Sequence, residues 1–530
     1  MASRRERIKF NLRRLKGFIS TLLSSKKATV GIGIIIFFAI MALGAPLIAP
    51  HHPVLDFYVG GRFAVPTWYE TLTGDPQSHN MLLLTEEQQD FNTPQSLKEW
   101  KIFAQSKDVD IQYVSTLGHP HPGCLAITYR RDYTITSIKP TEVTVTLYKN
   151  FSYPYKKPPQ RFLYYIKMFI KGTTEHQIDK LKTTLDVPVQ IKVFIERHEN
   201  ETSKTYDLLW YLYQFKSEEP IPREAESPTD EWVPTFPENL DSNYIRGYIV
   251  VNGTQKGVKL TNEIFTKPSN YTIGIELTFI DYNKRKNVET TVLIDNLNFK
   301  IYGTAYGLLG TDHYGRDVFS QLVYGSQLSL LIGLLSAALS VVLGLIIGMI
   351  SAYAGKVVDQ ILMRFTDALL VIPGLPLLLV LVAVMGPTIW NLILILGFLG
   401  WMGFARTVRS QVLSLKERPF VEAAKAVGAG SFHIIFRHIL PNVISLAYIA
   451  LATSVPSAII SEAALSWLGF YDPTVMTWGR MLHDSQQPGG IEKWWWIVPP
   501  GLCIALVSLS FILIGQAMDE ILNPKLRKRY

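Results

Sequence analysis

ALLVIPGLPLLLVLVAVMGPTIWNLILILGFLGWMGFA, residues 368–405, runs for 38 residues without one Asp, Glu, Lys, Arg or His. A bilayer core takes about 20 apolar helical residues to cross. The run is too long for one span, and Gly386-Pro387, a strong turn signal, cuts it into halves of 18 residues each. Two spans joined by a very tight turn follow. Pro373 and Pro376 fall in the first half, where each removes a helical hydrogen bond and is expected to kink the span.

Working outward, four further uncharged stretches qualify. Ala28–Pro50 is longer than the apolar part of a signal peptide and reads as an uncleaved first helix. Val318–Gly355 begins with Ser320, Gln321, Ser326 and Gln327, which predicts an interfacial segment followed by one span from about Leu328 to Tyr353. Ile439–Ser461 and Trp494–Met518 complete a set of six. Short loops rich in Lys and Arg stay in the cytoplasm. Nine Lys/Arg against Glu6 in Met1–Lys27, six Lys/Arg in Arg406–Arg437 and four in Lys525–Tyr530 place both termini and the 406–437 stretch inside. Reading 368–405 as a single span would move that stretch outside, against the charge bias. Trp494, Trp495 and Trp496 then sit at the outer boundary, where an aromatic belt is expected.

Bulk properties agree. Hydrophobic residues make up 48% of the 530-residue chain and charged residues 18%, low for a soluble protein. The net charge of +8 is concentrated at the two ends, beside apolar runs, which favours anionic headgroups over nucleic acid as its partner. Cys124 and Cys503 give no disulfide framework, since Cys503 lies in an apolar run.

Residues 51–303 are of another material. Val143, Val145 and Leu147 alternate with Thr144, Thr146 and Tyr148; Val189, Ile191, Val193 and Ile195 repeat the pattern, as do Ile273, Ile275, Leu277 and Phe279, and Leu297, Phe299 and Ile301. Period two with Asn/Gly/Pro punctuation predicts a β-rich domain of sandwich type, large enough for its own core, on the outside. His51–Gln112 has weaker periodicity and reads as loop-rich or as a separate small subdomain. All four Asn-x-Ser/Thr sequons, at Asn150, Asn200, Asn252 and Asn270, lie in this piece, in keeping with an external surface. His119, His121 and Cys124 are metal-ligand types, but GHPHPGC reads equally as an ordinary loop, and no metal is expected. Trp210, Tyr211 and Tyr213 suit a core better than a sugar-stacking surface.

The stretch RPFVEAAKAVGAGSFHIIFRHILPN, 418–442, predicts two short helices. Pro419 suits a first helical position. Phe420, Ala423, Ala424 and Val427 share one face, and Glu422 lies near the positive helix end. Gly428-Ala429-Gly430 ends the helix, and Ser431 is expected to N-cap the next, where Phe432, Ile435, Phe436 and Ile439 repeat the spacing. Such apolar stripes need a partner or the bundle's own face.

EAAKAVGAGSFHIIFRHILP, 422–441, resembles the EAA loop of ABC importer permeases, with Glu422, Ala423, Ala424, Gly428, Phe436, His438 and Pro441 matching the pattern. LGTDHYGRDVFSQLVYG (309–325), EAALSWLGF (462–470) and TWGRML (477–482) resemble the C-type permease of the dipeptide/oligopeptide/nickel branch. The resemblance covers about residues 305–524 and the first span; 51–303 departs from it, since members usually have a short connection there. It implies a six-helix type I importer fold, with Phe420, Phe432 and the matched loop residues docking on an ATPase.

The organisation that follows is a basic tail to residue 27, a helix at 28–50, the insert at 51–303, an outer interfacial segment at 304–327, five helices within 328–518 with the loop at 406–440 between them, and a basic tail at 519–530. The implied function is half of an import pore for dipeptides or oligopeptides, with oligosaccharides or nickel as alternative cargo. Implied partners are a second permease, two ATPases, a substrate-binding protein and the bilayer. No GxxxxGK[ST] cradle occurs, so the chain is expected to hydrolyse nothing and to bind no cofactor, ATP and Mg²⁺ being used by its partners. Asp312, Gly315, Arg316 and Asp317 flank the outer mouth and are expected to order it. Glu462 ends an uncharged run; an intramembrane carboxylate is a candidate substrate contact or a helix–helix hydrogen bond. Pro373, Pro376 and Glu462 are the candidate gate or pore residues. A receptor with an external β domain would need a cytoplasmic signalling domain, and a lone secondary transporter would need ionisable residues at mid-membrane. No cytoplasmic segment is long enough for the first, and the spans have almost none of the second.

Overall fold

A computed structural model describes residues 22–84, 91, 93–116, 123–132, 141–176, 183–199, 202–215, 239–242, 247–251, 254–282 and 285–522. Most of the basic N-terminal and C-terminal tails, His119, His121, Asn200 and Asn252 lie outside them, as do the side chains of Tyr211 and Tyr213. The chain divides into two compact units, 1–59 with 307–530, and 60–306.

Among the described residues, the second unit holds two antiparallel six-stranded sheets and a small two-stranded one. One takes the order β10 (Asn239–Asp241), β6 (Arg161–Gly172), β14 (Val288–Tyr302), β4 (Cys124–Arg131), β3 (Val109–Val114), with β1 (Met81–Leu82) also on β14. The other runs β2 (Lys101–Ala104), β5 (Thr141–Tyr153), β13 (Ser269–Asp281), β8 (Thr183–Glu199), β7 (Thr174–His176), with β9 (Thr202–Phe215) also on β8. Register explains why the alternation was readable. Val145 pairs with Leu277, which pairs with Ile191, and Leu147 with Ile275, which pairs with Val193. Side chains of period two therefore stack in rows on one face. These rows and Ile166, Val292, Leu297 and Phe299 of the first sheet share one buried core. A polar pin joins the sheets inside it: the Tyr129 hydroxyl donates to Asp281 at 3.0 Å, and the Arg131 guanidinium pairs with the same carboxylate. Cys124 is buried, and burial pushes its thiol up to about 11. Asn150, Asn270 and Trp210 are exposed.

The first unit is helical: α1 (Lys26–Leu43), α2 (Val318–Ala354), α3 (Lys356–Val371), α4 (Gly374–Met385), α5 (Ile389–Lys416), α6 (Pro419–Ala426), α7 (Ser431–Ile434), α8 (Leu440–Trp467), α9 (Trp478–Asp484) and α10 (Trp494–Leu522). Among the described residues, five helical stretches are long and apolar enough to cross a bilayer; α3 and α4 qualify only together, bent by 92°.

The run 368–405 breaks earlier than its turn signal suggests. Besides the turn at Gly386, it breaks at Ile372-Pro373, leaving α4 with 12 residues. Twelve helical residues rise about 18 Å, short of a hydrocarbon core. Residues 368–385 are therefore not a straight span. Pro373 stands at the N-cap of α4 and Pro376 in its first turn, where a missing N–H removes no helical bond.

The expected interfacial segment before Leu328 is also corrected, because α2 is continuous from Val318. Asp317 caps it, accepting from the Ser320 amide at 2.9 Å. Gln321 and Ser326 are buried and hydrogen-bonded within the unit, so their polarity serves internal contacts rather than a water boundary. Likewise, of the three tryptophans expected to form a belt, only Trp494 is exposed. Trp495 donates to the Thr311 carbonyl at 3.4 Å, and Trp496 stacks on His313 with ring centroids 5.4 Å apart; both are buried.

Helices α2 and α5 approach closely through small residues. A Cβ on Gly348 would lie 2.6 Å from the Ala405 carbonyl oxygen and 2.8 Å from Val408 Cβ, and Ser340 donates to the Gly397 carbonyl at 2.9 Å. Gly348→Ala is expected to cost about 1–3 kcal/mol by overpacking, read as a lower melting temperature of the detergent-purified chain. An unchanged melt would contradict the contact.

Candidate functional site

The 418–442 stretch forms two helical pieces with a glycine turn. Pro419 opens α6, Glu422 lies exposed in its first turn, and Gly428 ends it at φ +84°, a conformation glycine adopts without strain. The N-cap of α7 is Gly430, not Ser431. After one α turn the chain makes a π turn at Ile435–Ile439 and continues into α8. Pro441 has no N–H and its ring crowds the preceding turn, which explains why the ladder widens just before it. The Asn442 side chain donates to the His438 carbonyl at 2.6 Å, satisfying a group in that widened turn.

The two faces of this loop differ sharply. Val421, Ile434, Ile439 and Val443 are buried in one core with Val341, Leu345 and Met349 of α2 and Val408 and Val412 of α5. Phe420, Val427, Phe432 and Phe436 are 42%, 89%, 79% and 57% exposed. The Phe432 and Phe436 rings stack at 5.7 Å. The predicted stripe is therefore not the buried face of α6: Phe420, Ala423 and Val427 face outward and Ala424 is half-buried, while Val421, outside that stripe, holds α6 to the bundle. Ala423, Gly428 and Pro441 are exposed, and His438 is half-buried with its ring 6.4 Å from that of Phe420.

Asp312, Gly315, Arg316 and Asp317 form one buried corner. Arg316 Nε donates to Asp312 at 2.6 Å and Nη2 to Asp484 at 3.0 Å. Asp312 also accepts from the amides of Tyr314 and Arg316 and from Gln321. Gly315, at φ +71°, closes the turn that lets both amides reach one carboxylate. Arg480 lies against Asp484 at 3.8 Å and donates to the Pro473 and Val475 carbonyls. Asp484 is not among the residues the sequence singles out, and Gln321, read from sequence as an interfacial residue, is instead a partner of Asp312. Asp484 is separated from Arg316 by 168 residues, and spacing cannot reveal such a pair.

Glu462 is buried inside α8, with one carboxyl oxygen accepting from Ser466 at 2.9 Å and from Thr477 at 2.7 Å. The close approach of Gly479 to this carboxyl leaves no room for a side chain there. Glu462 thus joins α8 to the start of α9. A cavity of about 440 Å³ lies elsewhere in this unit, walled by Ser340, Leu369, Ile372, Gly374, Leu377, Gly400 and the hydroxyl residues Thr453, Ser454, Ser457 and Ser461. Glu462, Pro373 and Pro376 are not among its lining residues, although Ile372 and Gly374 flank Pro373. Among the described residues no cluster of three or more His, Cys, Asp or Glu could hold a metal ion.

Residues 340–528 match the family described as "Binding-protein-dependent transport system inner membrane component", and residues 14–63 match "N-terminal TM domain of oligopeptide transport permease C". The chain is 36% identical over 220 residues to a dipeptide transport system permease protein of Bacillus subtilis (strain 168), covering 41% of this chain and 69% of that protein. It is 37% identical over 219 residues to the dipeptide transport system permease protein of Alkalihalophilus pseudofirmus (strain ATCC BAA-2126 / JCM 17055 / OF4), covering 41% of this chain and 72% of that one. A solved structure of the MetNI methionine ABC transporter in an inward facing conformation aligns at 19% identity and TM-score 0.30, covering 37% of this chain and 96% of that one.

Proposed function

The chain belongs to the family of binding-protein-dependent transport system inner membrane components, and from that premise we propose that it forms half of the pore of an ATP-driven importer of peptides. The observation that carries this reading is the two-faced loop. Its inner residues are buried against α2 and α5, while Phe420, Val427, Phe432 and Phe436 stay on the surface. A clustered apolar patch of this kind marks a protein contact. We assign it to an ATPase subunit, with Glu422 on the rim as a docking residue. Closure of two partner ATPases would push the loop, and Val421, Ile434 and Ile439 would carry the push into the helices that wall the cavity. Peptide cargo is supported by the relatives, which are dipeptide transport system permease proteins.

The remaining parts follow. ATP and Mg²⁺ are used by the ATPase partners, and this chain binds no cofactor. A second permease completes the pore. The fold is the type I importer fold with six spans, the bent pair α3–α4 counting as one. Both termini face the cytoplasm. Unit 60–306, read as a β-sandwich, lies outside and helps dock the substrate-binding protein.

The test is purification of the complex on this chain from its native membrane under gentle conditions, followed by reconstitution. Two ATPases and a second permease are expected to co-purify, and vesicles are expected to take up labelled dipeptide or oligopeptide only with ATP. Absence of any ATPase, or uptake independent of ATP, would sink the proposal. Deleting residues 60–300 is expected to weaken binding-protein capture, and unchanged capture would overturn the role given to that unit.

A further inference from the structure

The amphipathic helix α3 buries only one described residue, Thr366, although Leu369 and Leu370 near its C-terminal end line the cavity. Apolar packing therefore does little to fix α3. Two ion pairs do so instead. Asp359 receives Arg409 Nε and Nη2, both at 2.6 Å, and also accepts from Ser351. Asp367 pairs with Arg406. The two acids are eight residues apart, about 12 Å along the helix, so together they fix both the position and the rotation of α3 on α5. The preceding turn is tied to the same region: Lys416 donates to the Tyr353 carbonyl at 3.0 Å, and Lys425 of α6 lies 5.9 Å from the Tyr353 ring centre. Beyond α3 comes the 92° bend, and then α4. Leu369, Leu370, Ile372, Gly374, Leu377 and Leu378, on both sides of the bend, line the cavity.

We propose that the Asp359–Arg409 and Asp367–Arg406 pairs are positioning contacts that make α3 and α4 follow α5, so that displacement of the coupling loop changes the shape of the cavity. This rests on the importer reading above. A bidentate arginine–carboxylate pair resists both sliding and twisting, which a single apolar contact does not. Arg406 and Arg409 stand on adjoining turns at the end of α5 that runs into α6, so they move with that end. Without the pairs, α5 can shift while α3, α4 and the part of the cavity wall they supply stay behind. ATP hydrolysis would then continue with little transport.

The experiment uses the whole complex, purified on this chain and reconstituted, with ATP hydrolysis and labelled peptide uptake measured in the same vesicles. Arg409→Ala is expected to leave ATPase co-purification intact and to lower peptide taken up per ATP by roughly three- to thirtyfold. The exchange Asp359→Arg with Arg409→Asp is expected to restore most of the ratio. Should Arg409→Ala fail to assemble, Arg406→Ala, at the more exposed pair, is expected to lower the ratio in the same direction. An unchanged ratio in the alanine variant that assembles overturns the proposal, and so does an equal loss in the exchanged pair, because the loss would then reflect local structure. A wild-type complex with no ATP-driven uptake would instead defeat the importer reading, a result separable from a failure confined to the variants.

Discussion

Phe432→Asp combined with Phe436→Asp is expected to strip the ATPase subunits from the purified chain while leaving the chain folded. The two rings stack on each other and are mostly in water in this chain alone. Burial of one such side chain contributes roughly 1.5–3 kcal/mol. Two together account for a loss of roughly 100-fold or more in affinity, since every 1.4 kcal/mol is tenfold. Adding two carboxylates to the patch raises the cost further, because each must be desolvated when the partner seats. Val421→Asp provides the contrast. Val421 is fully buried between α2, α5 and α8, and a carboxylate there is expected to lower the melting temperature of the chain itself. Quantitative mass spectrometry of the purified complex and a thermal melt of the isolated chain separate the two effects. If the double Phe variant retains its ATPases, the outward face is not the docking surface. If it melts well below wild type, the two rings serve the chain's own fold.

Legibility from sequence followed the range of the interactions. The strand alternation was readable because the apolar residues of a strand share the face that enters the core, and period two reports that directly; Val143, Val189, Ile273 and Leu297 are all in the core. The two loop helices were readable because Pro419 and Gly428 act locally. Their orientation was not. Phe420 and Val421 are about 100° apart on a helix, and hydrophobicity alone favours burying the larger residue, whereas here the larger one faces outward. The bend at Ile372-Pro373 was masked because Gly386-Pro387 was the stronger local signal and the apolar run continues across both breaks. The polar start of α2 misled for another reason: Gln321 finds Asp312, and Ser320 finds Asp317, inside the fold. Hydropathy records polarity but not whether a partner is waiting for it. Trp495 and Trp496 are a similar case, since a boundary tryptophan and a buried one look alike until Thr311 and His313 are brought beside them.

The corner around Arg316 shows what such distant partners are worth. Arg316→Met is expected to destabilise the helical unit by about 3–5 kcal/mol, the cost of breaking a buried ion pair and leaving the opposite charge without compensation. Asp312 is fully buried and Asp484 nearly so, and Arg316 is the side chain that bridges them. Arg480 is near Asp484 at 3.8 Å but spends its Nη1 on two backbone carbonyls, so it cannot replace the lost bridge. Arg316→Lys is not a conservative change here. One ammonium is a point charge, while the guanidinium reaches Asp312 through Nε and Asp484 through Nη2 in fixed directions. The loss should be local, because the β-rich unit has its own core. The two buried cysteines report the two units separately: Cys503 lies in α10 and Cys124 in β4. Maleimide labelling during a temperature ramp is expected to show Cys503 becoming reactive at a lower temperature in Arg316→Met, with Cys124 unchanged. Coincident Cys503 curves would mean that the corner is not held by its charges. An equal shift of both cysteines would mean that the two units do not unfold independently. Exchanging Asp312 for Asn in the Arg316→Met background removes one uncompensated carboxylate and is expected to recover part of the loss, which a purely steric role for Arg316 would not allow.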